Sequence, residues 1–433
     1  MLAVFDPCLG PAQPGTREPS MSESVKASVA IVHPGMGRGG SEAVVMWGAQ
    51  ALKHDFHVSM VTTTPFDLDA MNEFYGTSLR SGEVTFRRLS VPLVGGIPGA
   101  AALRGALFQR AMRAVVGEYD LLISAYNPCD FGTPAIQCIA DFSWDDELRR
   151  RFHPTGDGLA GVFHRDSLLR RAYLGLARIL SAPSGRDVFA GDDLIIANSN
   201  WTAGILRERY GVANAPVVYP PVTEPSVCRV PGSRNLDFAC LGRISEEKRI
   251  TTMTDILARV RAQGYPVRLR IVGALNDSAY SRRIRALAQQ NRDWIIVEGP
   301  LWGDAKWKLL SKCGYGIHGC SDEAFGIAVA EMIKAGCITF APPEGGQAEI
   351  LDHDSLLCRS DDDAVNKICA VLSRPALQAS LSEYLGRQAE KFSAKNFMRD
   401  LRAMVEEFLA KSRLSAGSST AACSPARSLQ APL

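Results

Sequence analysis

Short apolar runs of strand length alternate with longer stretches of helical spacing between residues 28 and 411. In the first half SVAIVH (28–33), HVSMVTT (57–63), VTFRRLSV (84–91), DLLISAY (120–126), PAIQCIAD (134–141) and DLIIANS (193–199) read as strands. Helices are predicted at 41–53, 98–117, 167–183 and 200–210. A proline-rich break at 217–233 follows and reads as a linker. The pattern then restarts, with strands at 236–241, 267–272, 294–299, 315–319, 337–341 and 355–358. Its helices fall at 248–263, 279–290, 304–312, 327–335, 361–374, 376–390 and 394–411. Such alternation predicts an α/β chain with two doubly wound, Rossmann-like domains, 28–227 and 228–393, and a closing helix at 394–411. Ligands of these sheets sit beyond the carboxyl ends of the strands, so two facing domains place a ligand in the cleft between them.

The flanks lack this periodicity. Residues 1–27 are rich in Pro, Gly, Ser and Glu and read as a disordered tail, with Met21 as an alternative start. Residues 412–433 are rich in Ser, Ala and Pro and read the same way. The N-terminus has no basic region and carries Asp6, unlike a secretory leader. No apolar run reaches the roughly 18 residues of a membrane span; Leu93 to Phe108 comes nearest but contains Arg104 and several glycines.

Composition narrows the class. Of 433 residues, 46% are hydrophobic and 22% charged, as in soluble globular proteins. A net charge of +2 gives no general attraction to nucleic acid. The 11 cysteines form no C-x-x-C pair; Cys240, Cys320, Cys337 and Cys358 lie in or beside apolar runs and read as small core residues. A reducing, cytoplasmic compartment is expected.

The densest chemical signal is EAFGIAVAE (323–331), with Glu323 and Glu331 eight residues apart around a Phe325-Gly326 turn that opens a helix. Free amides at a helix start suit a phosphate. Flanking carboxylates suit sugar hydroxyls. The alternative is an ordinary amphipathic helix with one glutamate favoured by the dipole. In CLGRISEEKRI (240–250), Arg243 and Lys248 stand near a helix start, an unfavourable place for cations unless an anion faces it. A solvated turn with Glu246 and Glu247 as counterions is the competing reading. Gly35, Gly37 and Gly40 match G-x-G-x-x-G, yet the next strand ends in Thr62, Thr63 and Thr64 without the acid that holds a ribose. This loop instead reads as backbone kept bare for a ligand, or as a tight turn. The glycine pair in EGGQAEIL (344–351) reads as a turn.

His33, Asp141 and His318 lie at strand ends facing the expected cleft, where turn or cap roles are common. No His/Cys/Asp/Glu set has the spacing of a metal site, and the acids at 361–363 read as a helix start. Arg149, Arg150, Arg151, Arg165, Arg170, Arg171 and Arg178 cluster around a segment with apolar and basic faces. It reads as a peripheral contact with an anionic membrane surface or as an ordinary solvated helix.

Six motifs in order and at strand ends carry a resemblance: GGSE (39–42), NSNWT (198–202), VVYPPV (217–222), GRISEEK (242–248), EAFGIAVAE (323–331) and GGQAEIL (345–351). Over 28–411 the chain resembles the retaining family 4 glycosyltransferases of GT-B fold, in particular mannosyltransferases of lipid-linked oligosaccharide or bacterial polysaccharide assembly. The resemblance implies transfer of a sugar, mannose first among them, from a GDP- or UDP-linked donor to a glycan or lipid-linked acceptor. No cofactor or metal is implied. Arg243 and Lys248 would hold the donor diphosphate. Glu323 with the backbone of Phe325, Gly326 and Ile327 would hold the sugar and phosphate, and Glu331 the ribose. Gly39 and Gly40 would face the diphosphate and acceptor. The closing helix would cross back to the first domain.

Asp141 departs from the family, where many members have histidine; an ionised carboxylate accepts hydrogen bonds where an imidazole can donate one. That difference keeps open a non-catalytic nucleotide-sugar-binding subunit. Other GT-B enzymes, a nucleotide-sugar epimerase or a sugar phosphorylase, also remain. The expected location is cytoplasmic, or peripheral on the inner face of a membrane.

Overall fold

The computed structural model describes residues 26–91, 100–152, 165–225 and 235–421. Among these, eleven strands form two sheets. The first holds β1 (Ser28–Val32), β2 (His57–Thr62), β3 (Thr85–Arg88), β4 (Leu121–Ser124), β5 (Ile136–Ile139) and β6 (Leu194–Ala197), in the order β3-β2-β1-β4-β5-β6. The second holds β7 (Asp237–Leu241), β8 (Arg268–Val272), β9 (Ile295–Gly299), β10 (Tyr315–Ile317) and β11 (Ile338–Phe340), in the order β11-β10-β7-β8-β9. Every strand pairing is parallel. Central strands such as β1 and β7 are apolar and covered on both faces, as parallel sheets require.

In both sheets the strand order reverses direction once, between β1 and β4 and between β7 and β10. Connections leave such a point in opposite directions and open a crevice there. The loops after these four strands carry Gly35–Gly40, Tyr126–Asn127, Gly242–Lys248 and His318–Gly326, and the two crevices face each other.

The helix Ala394–Ala421 returns from the second domain to the first. Its Phe397, Leu401, Val405 and Leu409 join a core with Val29, Ile31, Met46 and Leu52. Leu401 packs beside Gly48, where an added Cβ would stand 3.3 Å from its Cδ2. The Arg402 Nε donates to the Ala51 carbonyl at 3.2 Å.

Several expected elements change. The strand at 355–358 is a single bridge from Leu357 to Ala341, because the chain touches the sheet edge only there. The helix expected from 248 begins instead at Ile250, after a 3-10 turn at Glu246–Lys248 and Arg249 in the left-handed region (φ 50°). The last helix continues to Ala421, past the tail boundary read at 412. Helices at Leu68–Tyr75, Asp146–Phe152 and Gln347–Leu351 were not expected. Most of the N-terminal tail, the end of the C-terminal one, and 93–99 of the apolar run Leu93 to Phe108 lie outside the described residues. No described helix is long and apolar enough to cross a membrane.

Candidate active site

A cavity of about 510 Å³ lies between the two domains. Gly39, Gly40, Glu42, Tyr126 and Asp141 line it from the first domain, and Arg243, Lys248, Glu323, Phe325, Gly326 and Ile327 from the second. A wider hollow of about 1200 Å³ lies beyond the helix Ile327–Lys334, lined by Lys334, Gln378 and Arg387. Lys334 there already pairs with Glu224, and the hollow adjoins no strand-order reversal, so the smaller cavity is the candidate site.

Lys248 and Glu323 occupy the two sides of the second domain's crevice, and the Lys248 ammonium binds the Glu323 carboxylate directly. Their side chains are 14% and 25% exposed. Burial alone would raise the Glu323 carboxyl, but the Lys248 ammonium and His318 hold it well below the usual carboxylate range. Burial likewise opposes the charge on Lys248, and Glu323 outweighs it and raises the ammonium's pKa. The pair therefore stays ionised at neutral pH and presents a fixed cation to the cavity.

The backbone around Glu323 is braced by the loop and helix start that follow β11. The Gly346 N–H donates to the Glu323 carbonyl at 2.7 Å, and Gln347 Nε2 donates to the Cys320 carbonyl at 2.9 Å. A Cβ on Gly346 would come within 2.4 Å of the Ala324 carbonyl oxygen. The glycine pair of EGGQAEIL thus lets two loops touch, which is more than the turn read from sequence. Gly326 has φ 101° and starts the helix Ile327–Lys334, and a Cβ there would meet Gln347 at 2.9 Å.

The facing wall is the Gly35–Gly40 loop. Four of its amides are tied: Gly35 to His33 Nδ1 at 3.2 Å, Met36 to Thr64 Oγ1 at 2.7 Å, Gly37 to Glu42 Oε1 at 3.1 Å and Gly39 to the Tyr75 hydroxyl at 2.8 Å. Because His33 Nδ1 accepts, its Nε2 carries the proton and donates to Ser41 Oγ at 3.0 Å, and Ser41 donates to Glu42 Oε2 at 3.0 Å. The serine is a link in a chain of donors, not a nucleophile with a base. A Cβ on Gly40 would lie 2.7 Å from Ile327 Cδ1, so bare backbone meets the second domain at that point.

Asp141 reaches the cavity as expected, and its Oδ1 accepts from Asn127 Nδ2 at 2.7 Å and from the Ser143 N–H at 2.9 Å. Arg243 borders the cavity with its side chain 78% exposed and 3.5 Å from Glu247. Glu331 does not line the cavity with Glu323. It faces the helix Gly303–Leu310 and pairs with Lys306 at 2.6 Å, both side chains 15% exposed.

One reading is corrected and one is refined. The structure does assemble a His/Cys/Glu group: ligand atoms of His318, Cys320 and Glu323 all lie within 4.8 Å of one another. The loop after β10 folds back to bring them together, which linear spacing does not show. The arginine cluster divides: Arg149, Arg150 and Arg170 turn toward Asp146, whereas Arg151, Arg165, Arg171 and Arg178 stay exposed. Asp146 pairs with Arg149 at 3.0 Å, Arg150 at 2.8 Å and the buried Arg170 at 2.7 Å. Arg171 pairs with Asp166, and Arg151 lies over the Phe152 ring. The solvent face of the helix Leu168–Leu180 also exposes an apolar row, with Leu168, Leu169, Leu176 and Ile179 at 84%, 71%, 51% and 73% exposure beside Arg171 and Arg178.

Residues 231–391, which carry Arg243, Lys248, Glu323 and Glu331, match the family described as glycosyl transferases group 1. This part of the chain is a glycosyl transferases group 1 domain. The whole fold is similar to sucrose-phosphate synthase from Thermosynechococcus elongatus, at TM-score 0.65 and 16% identity over 89% of this chain and 100% of that one. The architecture is GT-B, two parallel-sheet domains with a cleft between them. In sequence the chain is 24% identical to a GDP-Man:Man(3)GlcNAc(2)-PP-Dol alpha-1,2-mannosyltransferase of Dictyostelium discoideum, over 47% of this chain and 45% of that protein. It is 25% identical to alpha-1,3/1,6-mannosyltransferase ALG2 of Mus musculus, over 86% of this chain and 94% of that protein. The chain thus spans about half the length of the first relative and nearly all of the second.

Proposed function

We propose that the chain is a retaining hexosyltransferase that moves mannose from GDP-mannose to a glycan or lipid-linked acceptor in glycoconjugate assembly. The observation that carries this reading is the Lys248–Glu323 pair at the strand-order reversal of the glycosyl transferases group 1 domain, facing the bare Gly39–Gly40 backbone. Lys248, joined by the exposed Arg243, stabilises the negative charge that grows on the departing diphosphate. The amides of Gly326 and Ile327 at the helix start receive phosphate oxygens. Glu323 accepts from sugar hydroxyls while holding Lys248 in place. Glu331 serves the ribose after exchanging Lys306 for it. In this reading these residues supply the charge stabilisation, and no metal is called on. Asp141 meets the sugar as a hydrogen-bond acceptor. Names of relatives support mannose as the sugar and a dolichol-linked glycan as the acceptor type.

The same proposal places the acceptor at a membrane surface. Leu168, Leu169, Leu176 and Ile179 enter the interface, and the exposed Arg165, Arg171 and Arg178 beside them meet anionic headgroups.

The test is incubation with GDP-mannose and a lipid-linked oligosaccharide, followed by product release and anomeric analysis. Mannosylated product of retained configuration supports the reading. GDP-mannose binding without turnover on any acceptor would favour a binding subunit.

A further inference from the structure

We propose that His318, Cys320 and Glu323 form a site for a thiophilic divalent cation of the zinc class, and that its occupation displaces Lys248 from Glu323 and shuts the donor site. The ligand atoms lie within 4.8 Å of one another, close enough to converge on one ion with small side-chain movements. His318 Nε2 is buried without a hydrogen-bond partner and stands 3.4 Å from Glu323 Oε2. An unpartnered buried nitrogen is costly, and a metal bond would satisfy it. Cys320 is 4% exposed and contributes the sulfur that selects zinc over magnesium.

The site already stabilises a cation, since the Lys248 ammonium sits on the same carboxylate. The divalent ion and the Cys320 thiolate together carry one net positive charge, as the Lys248 ammonium does, so the pocket needs no further counterion. Entry runs through the cavity, where Glu323 is partly exposed. On binding, the Cys320 thiol releases its proton to solvent and its sulfur bonds to the metal; nothing is oxidised or reduced. Nitrogen, sulfur and carboxylate oxygen make three ligands, and water completes a tetrahedron. Lys248 keeps its proton and turns away, which removes the charge the diphosphate needs.

Metal binding stands on geometry alone, whereas the shut-off rests on the proposed transferase reading, and the experiment separates them. Cobalt(II) alone is added to the full chain and absorbance recorded for the wild type and Cys320→Ser. The expected result is a thiolate-to-cobalt charge-transfer band with tetrahedral d–d bands that Cys320→Ser loses. Identical spectra for the two overturn the site.

Donor turnover is then measured against free zinc, with magnesium as control. Zinc should inhibit the wild type, a chelator should restore it, and magnesium should do nothing. Cys320→Ser should keep its activity and need more zinc for half-inhibition, by at least the roughly 10–100-fold that losing an outer-shell partner costs. Zinc bound at the site with turnover unchanged or raised overturns the displacement of Lys248. A wild type that shows the cobalt signature but no turnover with any donor contradicts the transferase reading and leaves the metal site standing.

Discussion

The carboxylate of Glu349, in the second domain, caps the first turn of the helix that begins at Asn200 in the first. Its Oε1 accepts from the Asn200 N–H at 2.9 Å, and its Oε2 accepts from the Tyr219 hydroxyl at 3.0 Å. The Ser199 hydroxyl crosses the same joint to the Ala324 carbonyl, next to Glu323. One joint thus fixes the domain angle and the loop that carries the site. Glu349→Ala leaves helix amides without their acceptor and should cost about 1.5–3 kcal/mol, the range for hydrogen bonds to a charged group. Denaturant unfolding checks the size, and steady-state kinetics should show kcat falling with it. Unchanged stability and kcat would mean the joint is not held by Glu349.

Two glycines should respond differently to alanine. At Gly40 the added Cβ meets only the tip of Ile327, at 2.7 Å, and that methyl can move. Gly40→Ala should leave the melting temperature near wild type and reduce turnover, because the two walls of the cavity are pushed apart. At Gly346 the Cβ meets a backbone carbonyl at 2.4 Å. Gly346→Ala should destabilise by about 1–3 kcal/mol, as overpacking does. Thermal melts alongside initial rates separate the two outcomes.

Acid should weaken the fold through two histidines. His33 and His318 are buried, and burial is the main cause that pushes both imidazoles below their ordinary value of 6.5. Glu42 beside His33 and Glu323 beside His318 oppose the shift, while Lys248 adds to it at His318. The unfolded chain therefore binds more protons just below pH 6.5, and stability is full above that pH and falls as pH drops through the folded values. Each imidazole adds a slope approaching about 1.4 kcal/mol per pH unit. His318→Gln should flatten the dependence of melting temperature on pH between neutrality and mild acid. An unaltered slope would show that His318 is not kept neutral.

Membrane contact, if made by the exposed row rather than by the arginines at large, should be lost with Leu168→Glu and Ile179→Glu together. Arg149→Gln and Arg150→Gln should have little effect on binding, since both side chains serve Asp146. Flotation with vesicles containing anionic lipid measures both. Equal binding by all variants would contradict the placement.

The double winding was legible because strands such as SVAIV and DFACL are apolar after their first residue and lie between helix-length stretches. The edge strand Thr85–Arg88 alternates weakly and was overextended, because half-exposed edges lack that signal. Lys248 and Glu323 were each visible as odd residues at helix starts, but their contact spans 75 positions and needs the neighbouring of β7 and β10. In sequence His318 reads as a turn or cap residue at the cleft and Cys320 as a core residue, because H-x-C-x-x-E has no recognised ligand spacing. The inward turn of Arg149 and Arg150 had a signal in the sequence: Asp146 precedes them by three and four residues, the spacing of helical ion pairs. Glu331 was read with Glu323 as one unit, yet Lys306, from a helix that sequence does not place beside it, holds it apart.

The central claim is that the Lys248 cation, held by Glu323, stabilises a departing nucleoside diphosphate. Lys248→Ala alone would strand a buried carboxylate at a cost of about 3–5 kcal/mol, so loss of folding could be mistaken for loss of chemistry. The decisive measurement is kcat with GDP-mannose for Lys248→Met combined with Glu323→Gln, which leaves no unpaired charge, next to its melting temperature. The account predicts a folded protein whose kcat is down by about 10²–10³-fold or more, the size of losing one such stabilising group. A folded double variant with wild-type kcat would contradict it.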